Sequence, residues 1–157
     1  MTTIDAAHPP QLVMRLLSPT LRTVLRVPGI GASLKDFMLV EFTGRKSGRR
    51  FSLPISAHHL DGDLYGMVEA GWKHNFADGA PADVRYAGRR TPMWGQLVTD
   101  TATVTDIAHR VATGYGPKKA QRAMGLTFTG SAVPSLDQFA EWVRRLNIAA
   151  IKLTPRS

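Results

Sequence analysis

The sequence contains no cysteine, which excludes disulfide bonds, thiolate catalysis and iron–sulfur ligation. It has no apolar run long enough to span a membrane. No charged segment followed by an apolar stretch opens the chain, so no signal peptide is expected. Acidic residues are few, because 12 Asp and Glu stand against 20 Lys and Arg and the formal net charge is +8. We therefore expect a cytoplasmic protein with anionic partners: phosphorylated cofactors, nucleic acid or acidic lipid.

The length of 157 residues and the hydrophobic content of 43% predict a single domain spanning residues 1–157 with a proper core. Residues 1–10 read as a loose arm. Residues 11–27 have the pattern of a basic amphipathic helix, interrupted at Ser18-Pro19. Such a helix more often caps a core, but it can also rest on an acidic membrane surface. Peripheral membrane contact therefore stays open for this segment.

Residues 37–104 have the pattern of an antiparallel β structure. The predicted strands are 37–43, 50–59, 64–69, 83–87 and 90–99, with a closing strand at 148–153. Asp61-Gly62 is a hairpin turn signal between two of them. Strands at hairpin spacing favour an antiparallel barrel of about six strands, not a parallel sheet with crossover helices.

Helical patterns occupy most of residues 105–157, before the closing strand. One helix is marked by Ile107, Val111 and Tyr115, and a second can start at Pro117. Ser135-Leu136-Asp137-Gln138 is a capping-box pattern that opens a third. The predicted fold class is therefore mainly β with flanking helices, an α+β arrangement.

The densest positive charge in the chain lies between two predicted strands, at Gly44-Arg45-Lys46-Ser47-Gly48-Arg49-Arg50. Four cations stand in six consecutive positions, and glycine can adopt the positive φ of a tight loop. Backbone N–H groups, the Ser47 hydroxyl and the guanidinium groups can converge on one anion. The alternative is a solvated turn whose charges keep the protein soluble.

The five histidines do not predict a metal site. His58 and His59 are adjacent on a predicted strand, so their side chains point to opposite faces. The sequence also lacks a Gly-x-Gly-x-x-Gly fingerprint, a Walker loop and a Gly-x-Ser-x-Gly nucleophile elbow.

Several of these features occur together in one known family. The chain has Phe42-Thr43-Gly44-Arg45-Lys46-Ser47-Gly48-Arg49-Arg50, then Leu53-Pro54, Asp61-Gly62-Asp63, Trp72 three residues before Asn75, and Val84 to Gly88. In this order they resemble the deazaflavin-dependent nitroreductase family, reductases of mycobacteria and related actinobacteria that use coenzyme F420, an 8-hydroxy-5-deazaflavin. The resemblance implies a split β-barrel, similar to FMN-binding barrels.

The resemblance also implies a cofactor site. The basic segment would receive the phosphate and polyglutamate tail, through Arg45, Lys46, Ser47, Gly48, Arg49 and Arg50. The next strand would lie beside the deazaflavin ring, through Leu53, Pro54, Ile55 and Ser56. Trp72 and Asn75 would shape the pocket, and Lys73 would replace a lysine that better-known members carry further upstream. Candidate proton donors for the reduced substrate are Tyr115, Ser56 and His74.

The segment before Trp72 is shorter here than in the better-known nitroreductases, and this difference leaves alternatives open. The implied activity is hydride transfer from reduced coenzyme F420 to a small-molecule electron acceptor such as a quinone, nitroaromatic or enone. A related barrel that prefers a flavin or a tetrapyrrole is one alternative. A non-enzymatic basic barrel that binds an anionic ligand or nucleic acid is another, although no aromatic residues interleave with the basic run to stack on bases. Monomer and homodimer both remain open.

Overall fold

The computed structural model describes residues 4–6, 37–124 and 126–156. The predicted amphipathic helix at 11–27 lies outside the described residues. So does most of the predicted loose arm at 1–10.

Nine strands lie within the described residues. They are β1 (Ile4–Ala6), β2 (Phe37–Thr43), β3 (Arg50–Ser56), β4 (His58–Leu60), β5 (Asp63–Val68), β6 (Ala80–Tyr86), β7 (Arg89–Val98), β8 (Leu126–Phe128) and β9 (Ala149–Pro155). A 3₁₀ helix (Gly71–Phe76) precedes β6, and three α-helices follow β7: α1 (Thr101–Tyr115), α2 (Pro117–Met124) and α3 (Leu136–Leu146).

Seven strands form one antiparallel sheet in the order β3-β2-β6-β7-β9-β5-β4. The strands β3 and β4 stand at opposite ends of this order, yet only Ala57 separates them in sequence. The sheet must therefore curl until its two ends approach each other, as in a half-barrel. The close approach of β5 to β3 agrees, because a Cβ on Gly66 would lie 2.5 Å from Cδ1 of Ile55. The predicted fold class, mainly β with flanking helices in a split barrel, is confirmed.

The same closure corrects the predicted strand 50–59. Its first part pairs with β2 and its last part pairs with β5, so the chain changes partner at Ala57. The predicted strand 83–87 is also longer than expected and begins at Ala80. These departures arise because pairing partners, not local composition, decide where a strand ends.

Apolar side chains fill the inside of the curled sheet. Alternate residues of β2 point inward, as a period-two pattern requires, and Met38, Val40 and Phe42 are buried there. A second core lies among the helices and includes Val104, Phe139 and Trp142.

Ile4 belongs to this second core, which corrects the prediction of a loose arm for residues 4–6. The strand β1 pairs with β8, and Ile4 stands opposite Phe128. The guanidinium of Arg145 also donates to the carbonyl of Ile4 at 2.6 Å. Three-residue strands carry too little periodicity for the sequence to have predicted this pair.

The helix signals are largely confirmed. Ser135 and Gln138 form the predicted capping box, with Ser135 N donating to Gln138 Oε1 at 2.7 Å and Gln138 N to Ser135 Oγ at 3.2 Å. The helix α1 begins earlier than its apolar pattern indicates, because the side chain of Asp100 caps it by accepting from Thr103 N at 3.0 Å.

Candidate functional site: the basic hairpin and the edge strand

The segment Gly44–Arg49 is a tight turn between β2 and β3, called the basic hairpin below. Gly44 N donates to Arg49 O at 2.7 Å, and Gly48 N donates to Gly44 O at 3.0 Å. Gly48 has a φ of 70°, which favours glycine. A Cβ on Gly44 would lie 2.7 Å from the ring of Phe51, so glycine is required there for space.

Two of the predicted anion-binding groups hold the turn itself. The Ser47 hydroxyl accepts from Arg49 N at 3.2 Å. Arg45 N donates to Asn75 Oδ1 at 2.8 Å. The turn is therefore fixed by the Ser47 hydroxyl and by Asn75 from outside it, and the side chains of its cations remain to face a ligand.

The cations differ in their partners. Arg45 forms a long, exposed ion pair with Asp78 at 3.5 Å. The guanidinium of Arg49 lies 5.8 Å from the centre of the Phe51 ring. Lys46 is exposed, and the described part of the chain contains no ion pair to it. These three side chains can turn toward an anion at little cost, because exposed ion pairs contribute little to stability.

Arg50 is placed differently from the other three cations. Its guanidinium donates to Asp83 Oδ2 at 2.9 Å, on the outer face of the sheet. Arg90 and Arg156 bind the same carboxylate at 2.7 Å and 3.2 Å. A cavity of about 220 Å³ lies beside this arginine cluster and is lined by Thr43, Arg50, Ala80–Asp83 and Arg156. This cluster could not be predicted from the sequence, since its residues are far apart in the chain.

The strand β3 runs from the basic hairpin along the edge of the sheet. In the described residues, no strand pairs with its other side. Leu53 and Ile55 pack partly buried against the inner core. Pro54, opposite Leu39, contributes no N–H to the ladder. An edge strand of this kind offers backbone groups to a flat ligand.

The 3₁₀ helix carries the three predicted residues 72, 73 and 75. Trp72 stacks on Phe42 at 5.6 Å and is half-buried. Asn75 donates to Trp72 O at 2.7 Å while it accepts from the basic hairpin. Asn75 therefore contacts the basic hairpin directly, and Trp72 contacts Asn75 and the strand that leads into the hairpin.

Lys73 does not point toward the basic hairpin. Its side chain is 2% exposed, and its ammonium donates to Glu69 O at 3.1 Å and to Asn147 O. Burial lowers the pKa of Lys73, and the charge of Glu69 opposes this shift. The geometry gives no support to cofactor binding by this side chain.

The two predicted proton donors, Ser56 and Tyr115, are brought together by a third residue. His58 Nε2 lies 2.9 Å from Ser56 Oγ, and His58 Nδ1 lies 3.0 Å from Tyr115 Oη. His74, the remaining candidate, is exposed on the 3₁₀ helix. Sequence analysis did not assign His58 a role. Ser56 and His58 are two residues apart in the predicted strand 50–59, and this spacing indicates that their side chains share one face. The contact of His58 with Tyr115 spans 57 residues and could not be predicted from the sequence.

No group of three His, Asp or Glu side chains in the described ranges could hold a metal ion. No helix in that part of the chain is long and apolar enough to cross a membrane.

Comparison with known proteins gave structural likenesses only. No protein-family model matches the chain, and the search of curated proteins found no match. A domain-swapped dimer has a TM-score of 0.46 and 12% identity, with 93% of this chain and 100% of that chain covered. The FAD and heme binding protein from Mycobacterium smegmatis has a TM-score of 0.45 and 14% identity, with 88% and 66% covered.

A third solved structure is named as a candidate 5-nitroimidazole antibiotic resistance protein from Bacteroides thetaiotaomicron. It has a TM-score of 0.43 and 8% identity, with 100% of this chain and 86% of that chain covered. Because each TM-score is below 0.5, none of the three likenesses supports an inference about what this chain binds.

Proposed function

We propose that the protein is a coenzyme F420-dependent reductase, which transfers a hydride from the reduced deazaflavin to an electron-poor small molecule such as a quinone, nitroaromatic or enone. One observation carries the proposal: a fixed cationic turn leads directly into an edge strand that ends at a hydrogen-bonded serine. The strand β3 has seven residues and is therefore about 20 Å long. Anion-binding groups at one end and a proton-bearing group at the other suit an elongated cofactor with an anionic tail.

The cofactor would supply the hydride, and the protein would supply position and exclusion of water. In this proposal Arg45, Lys46 and Arg49 bind the phosphate and carboxylates of the tail. Arg50 contributes less, because its guanidinium is shared with Asp83. The edge of β3 from Leu53 to Ser56 lies beside the ring.

The first experiment is direct binding. Purified protein is titrated into oxidised coenzyme F420 and the deazaflavin fluorescence is followed. Quenching that saturates at micromolar protein, followed by oxidation of the reduced cofactor with a simple quinone, supports the proposal. Absence of any change in fluorescence at that concentration refutes it.

The second experiment concerns the tail. A hydrogen bond to a charged group is worth about 1.5–3 kcal/mol, so Arg45→Ala, Lys46→Ala or Arg49→Ala should each weaken cofactor binding roughly ten- to hundredfold. Turnover at saturating cofactor should stay nearly intact, because tail contacts act alike in ground and transition states. Lys118→Ala, an exposed cation on α2, is the matched control. A tailless, phosphate-free deazaflavin should bind wild type and variants equally, and equal losses for both ligands would mean that the basic hairpin only supports the fold.

A second candidate function is favoured by the arginine cluster around Asp83. Three guanidinium groups on one carboxylate leave a local charge of +2, and this surface continues from the basic hairpin through Arg50. A non-enzymatic barrel that binds an anionic ligand would use such a surface. Salt titrations distinguish the two, because binding to single-stranded DNA would depend steeply on salt concentration. Micromolar affinity for DNA without affinity for the deazaflavin would favour the second candidate.

A further inference from the structure

His58 is the fully buried titratable side chain that joins the two predicted proton donors. Its side chain has 0% exposure, yet both ring nitrogens lie within hydrogen-bond distance of hydroxyl groups, those of Ser56 and Tyr115. Its ring also meets that of Tyr115 edge to face, with the centres 5.8 Å apart. One edge-to-face ring contact and two polar contacts hold the imidazole in one orientation.

The fold builds this arrangement at the closure of the barrel. Ser56 ends β3 and His58 begins β4, on either side of the residue where the chain changes sheet edge. Tyr115 is the last residue of α1, and Gly116, with a φ of 84°, ends the helix directly after it. The helix is anchored against β9 through Ile107, Val111 and Ala150. The three side chains are therefore held by three separate elements.

We propose that Ser56, His58 and Tyr115 form a proton-delivery chain for the substrate reduced at the edge of β3. The inference rests on the proposed function. Ser56 is the catalytic residue, because its hydroxyl would touch the substrate. His58 and Tyr115 are positioning residues that replace the proton Ser56 gives up. Tyr115 is half-buried, unlike His58, and it lies two residues before the start of α2.

The proton balance is complete without another reagent. The substrate takes two electrons with the hydride and one proton from Ser56 Oγ. Ser56 then takes the proton on His58 Nε2, His58 Nδ1 takes the hydroxyl proton of Tyr115, and Tyr115 takes one from water. After the product leaves, water in the empty groove gives a proton to Ser56, and Ser56 returns one to His58 Nε2. His58 Nδ1 then returns a proton to Tyr115, and Tyr115 returns one to water. These transfers restore the first imidazole tautomer.

A cation, Lys119, lies beside the tyrosine of the proton-delivery chain. Lys119 Nζ stands 5.2 Å from the centre of the Tyr115 ring. A positive charge there stabilises the negative charge that the phenol oxygen carries while its proton moves. Arg110, a cation of α1, is paired with Asp61 at 2.9 Å and with Asp106 at 3.8 Å.

The adjacent residue provides a matched control. His59 Nε2 lies 3.2 Å from Tyr86 Oη, so it forms the same kind of His–Tyr pair on the other side of the strand. His59 is exposed, and within the described part of the chain no hydrogen bond joins it to Ser56. Loss of this pair should therefore change local polarity and leave proton delivery intact.

The kinetic test compares the two His–Tyr pairs. We expect Ser56→Ala, His58→Gln and Tyr115→Phe to lower kcat for quinone reduction by about 10²-fold, the lower range of general acid catalysis, without changing KM for the cofactor. His59→Gln and Tyr86→Phe should stay within about twofold of wild type. Wild-type turnover should be slower in D₂O than in H₂O, and Ser56→Ala should lose this difference.

Two further arms keep the test decisive where His58→Gln does not fold. The double variant Ser56→Ala/Tyr115→Phe should lose no more activity than Ser56→Ala alone, because groups that act as one unit are non-additive. In the protein without cofactor, ¹⁵N-imidazole NMR should show His58 hydrogen-bonded at both nitrogens, with the Nδ1 signal shifted in Tyr115→Phe and unmoved in Tyr86→Phe.

The outcomes separate this proposal from the proposed function. If the protein does not bind the deazaflavin, the proposed function fails. The NMR measurement still reports whether Ser56, His58 and Tyr115 are joined by hydrogen bonds. If turnover occurs but the Ser56, His58 and Tyr115 variants keep kcat within twofold of wild type, the proton-delivery chain is overturned while the reductase stands. Equal losses in His58→Gln and His59→Gln would also overturn it.

Discussion

The side-chain amide of Asn75 accepts a hydrogen bond from the backbone N–H of Arg45 at 2.8 Å, and its NH₂ group donates to Trp72 O at 2.7 Å. One side chain thus ties the basic hairpin to the 3₁₀ helix across 30 residues of sequence. The resemblance implied that Asn75 shapes a pocket; in this structure its amide holds the turn that carries the cations. The orientation of Arg45 therefore depends on a residue outside the basic hairpin.

Removing this link should loosen the turn. A neutral hydrogen bond is worth about 0.5–1.5 kcal/mol, so Asn75→Ala should weaken binding of full-length coenzyme F420 by roughly two- to tenfold. The tailless deazaflavin should bind unchanged. Amide hydrogen exchange at Arg45 is the structural readout, and it should become faster. Unchanged exchange at Arg45 would show that the hairpin holds its shape without Asn75.

The sequence predicted local features well and distant partners poorly. Ser135 and Gln138 are three residues apart, and their capping box could be read directly. The basic hairpin was also readable, because its glycines and cations are contiguous. Arg50 meets Asp83 across 33 residues, and His58 meets Tyr115 across 57. Such contacts depend on strand order and helix docking, which local composition does not encode.

We expect Asp83 to contribute to the free energy of unfolding, because it binds three arginines. Asp83→Asn removes the charge and leaves Arg50, Arg90 and Arg156 to repel one another. A hydrogen bond to a charged group is worth about 1.5–3 kcal/mol. Because the arginines are partly exposed, we expect Asp83→Asn to lower the free energy of unfolding by about 1–3 kcal/mol in total. Urea denaturation measures it, and 1 M salt should reduce the loss.

Asp78→Asn provides the comparison for Asp83. Asp78 is paired with one arginine at 3.5 Å, and its side chain is 93% exposed. Its substitution should change the free energy of unfolding by less than about 0.5 kcal/mol. Equal effects at the two positions would show that the arginine cluster contributes no more than an isolated surface pair.

Lys73 joins the 3₁₀ helix to the C-terminal end of α3, where its ammonium donates to the carbonyl of Asn147. A cation at that end of a helix is favourable. We expect Lys73→Met to lower the free energy of unfolding at pH 7 by about 1–3 kcal/mol, since two carbonyls lose a buried donor. Lys118→Met should have little effect. Affinity for the deazaflavin should be unchanged, and a selective loss of cofactor affinity would instead support cofactor binding by Lys73.

The pH dependence of the same variant has a defined sign. Burial lowers the pKa of Lys73 in the folded state below its ordinary 10.5, so the unfolded state binds more protons between the two values. Stability from this group therefore rises with pH through that interval. The difference in unfolding free energy between wild type and Lys73→Met should grow as the pH approaches 10.5, and a difference that shrinks would contradict the assignment.

Gly95 on β7 leaves room for Phe76, the last residue of the 3₁₀ helix. A Cβ at this position would lie 2.6 Å and 2.7 Å from two atoms of the Phe76 ring, which is fully buried. Overpacking a core typically costs about 1–3 kcal/mol, so Gly95→Ala should lower the free energy of unfolding by that amount. Gly114 in α1 has no atom within 4 Å of an added Cβ. Gly114→Ala should instead stabilise the protein by about 0.5–1 kcal/mol, because alanine loses less conformational entropy in a helix.

The effect of Gly95→Ala should extend to the candidate site. Phe76 lies on the same 3₁₀ helix as Asn75, whose amide holds Arg45. We expect Gly95→Ala to weaken binding of full-length coenzyme F420 about as much as Asn75→Ala does, and the double variant to lose little more than either alone. Fluorescence titration with the full and tailless deazaflavins measures this coupling. Additive losses in the double variant would mean that packing under the helix and the hydrogen bond to the basic hairpin act independently.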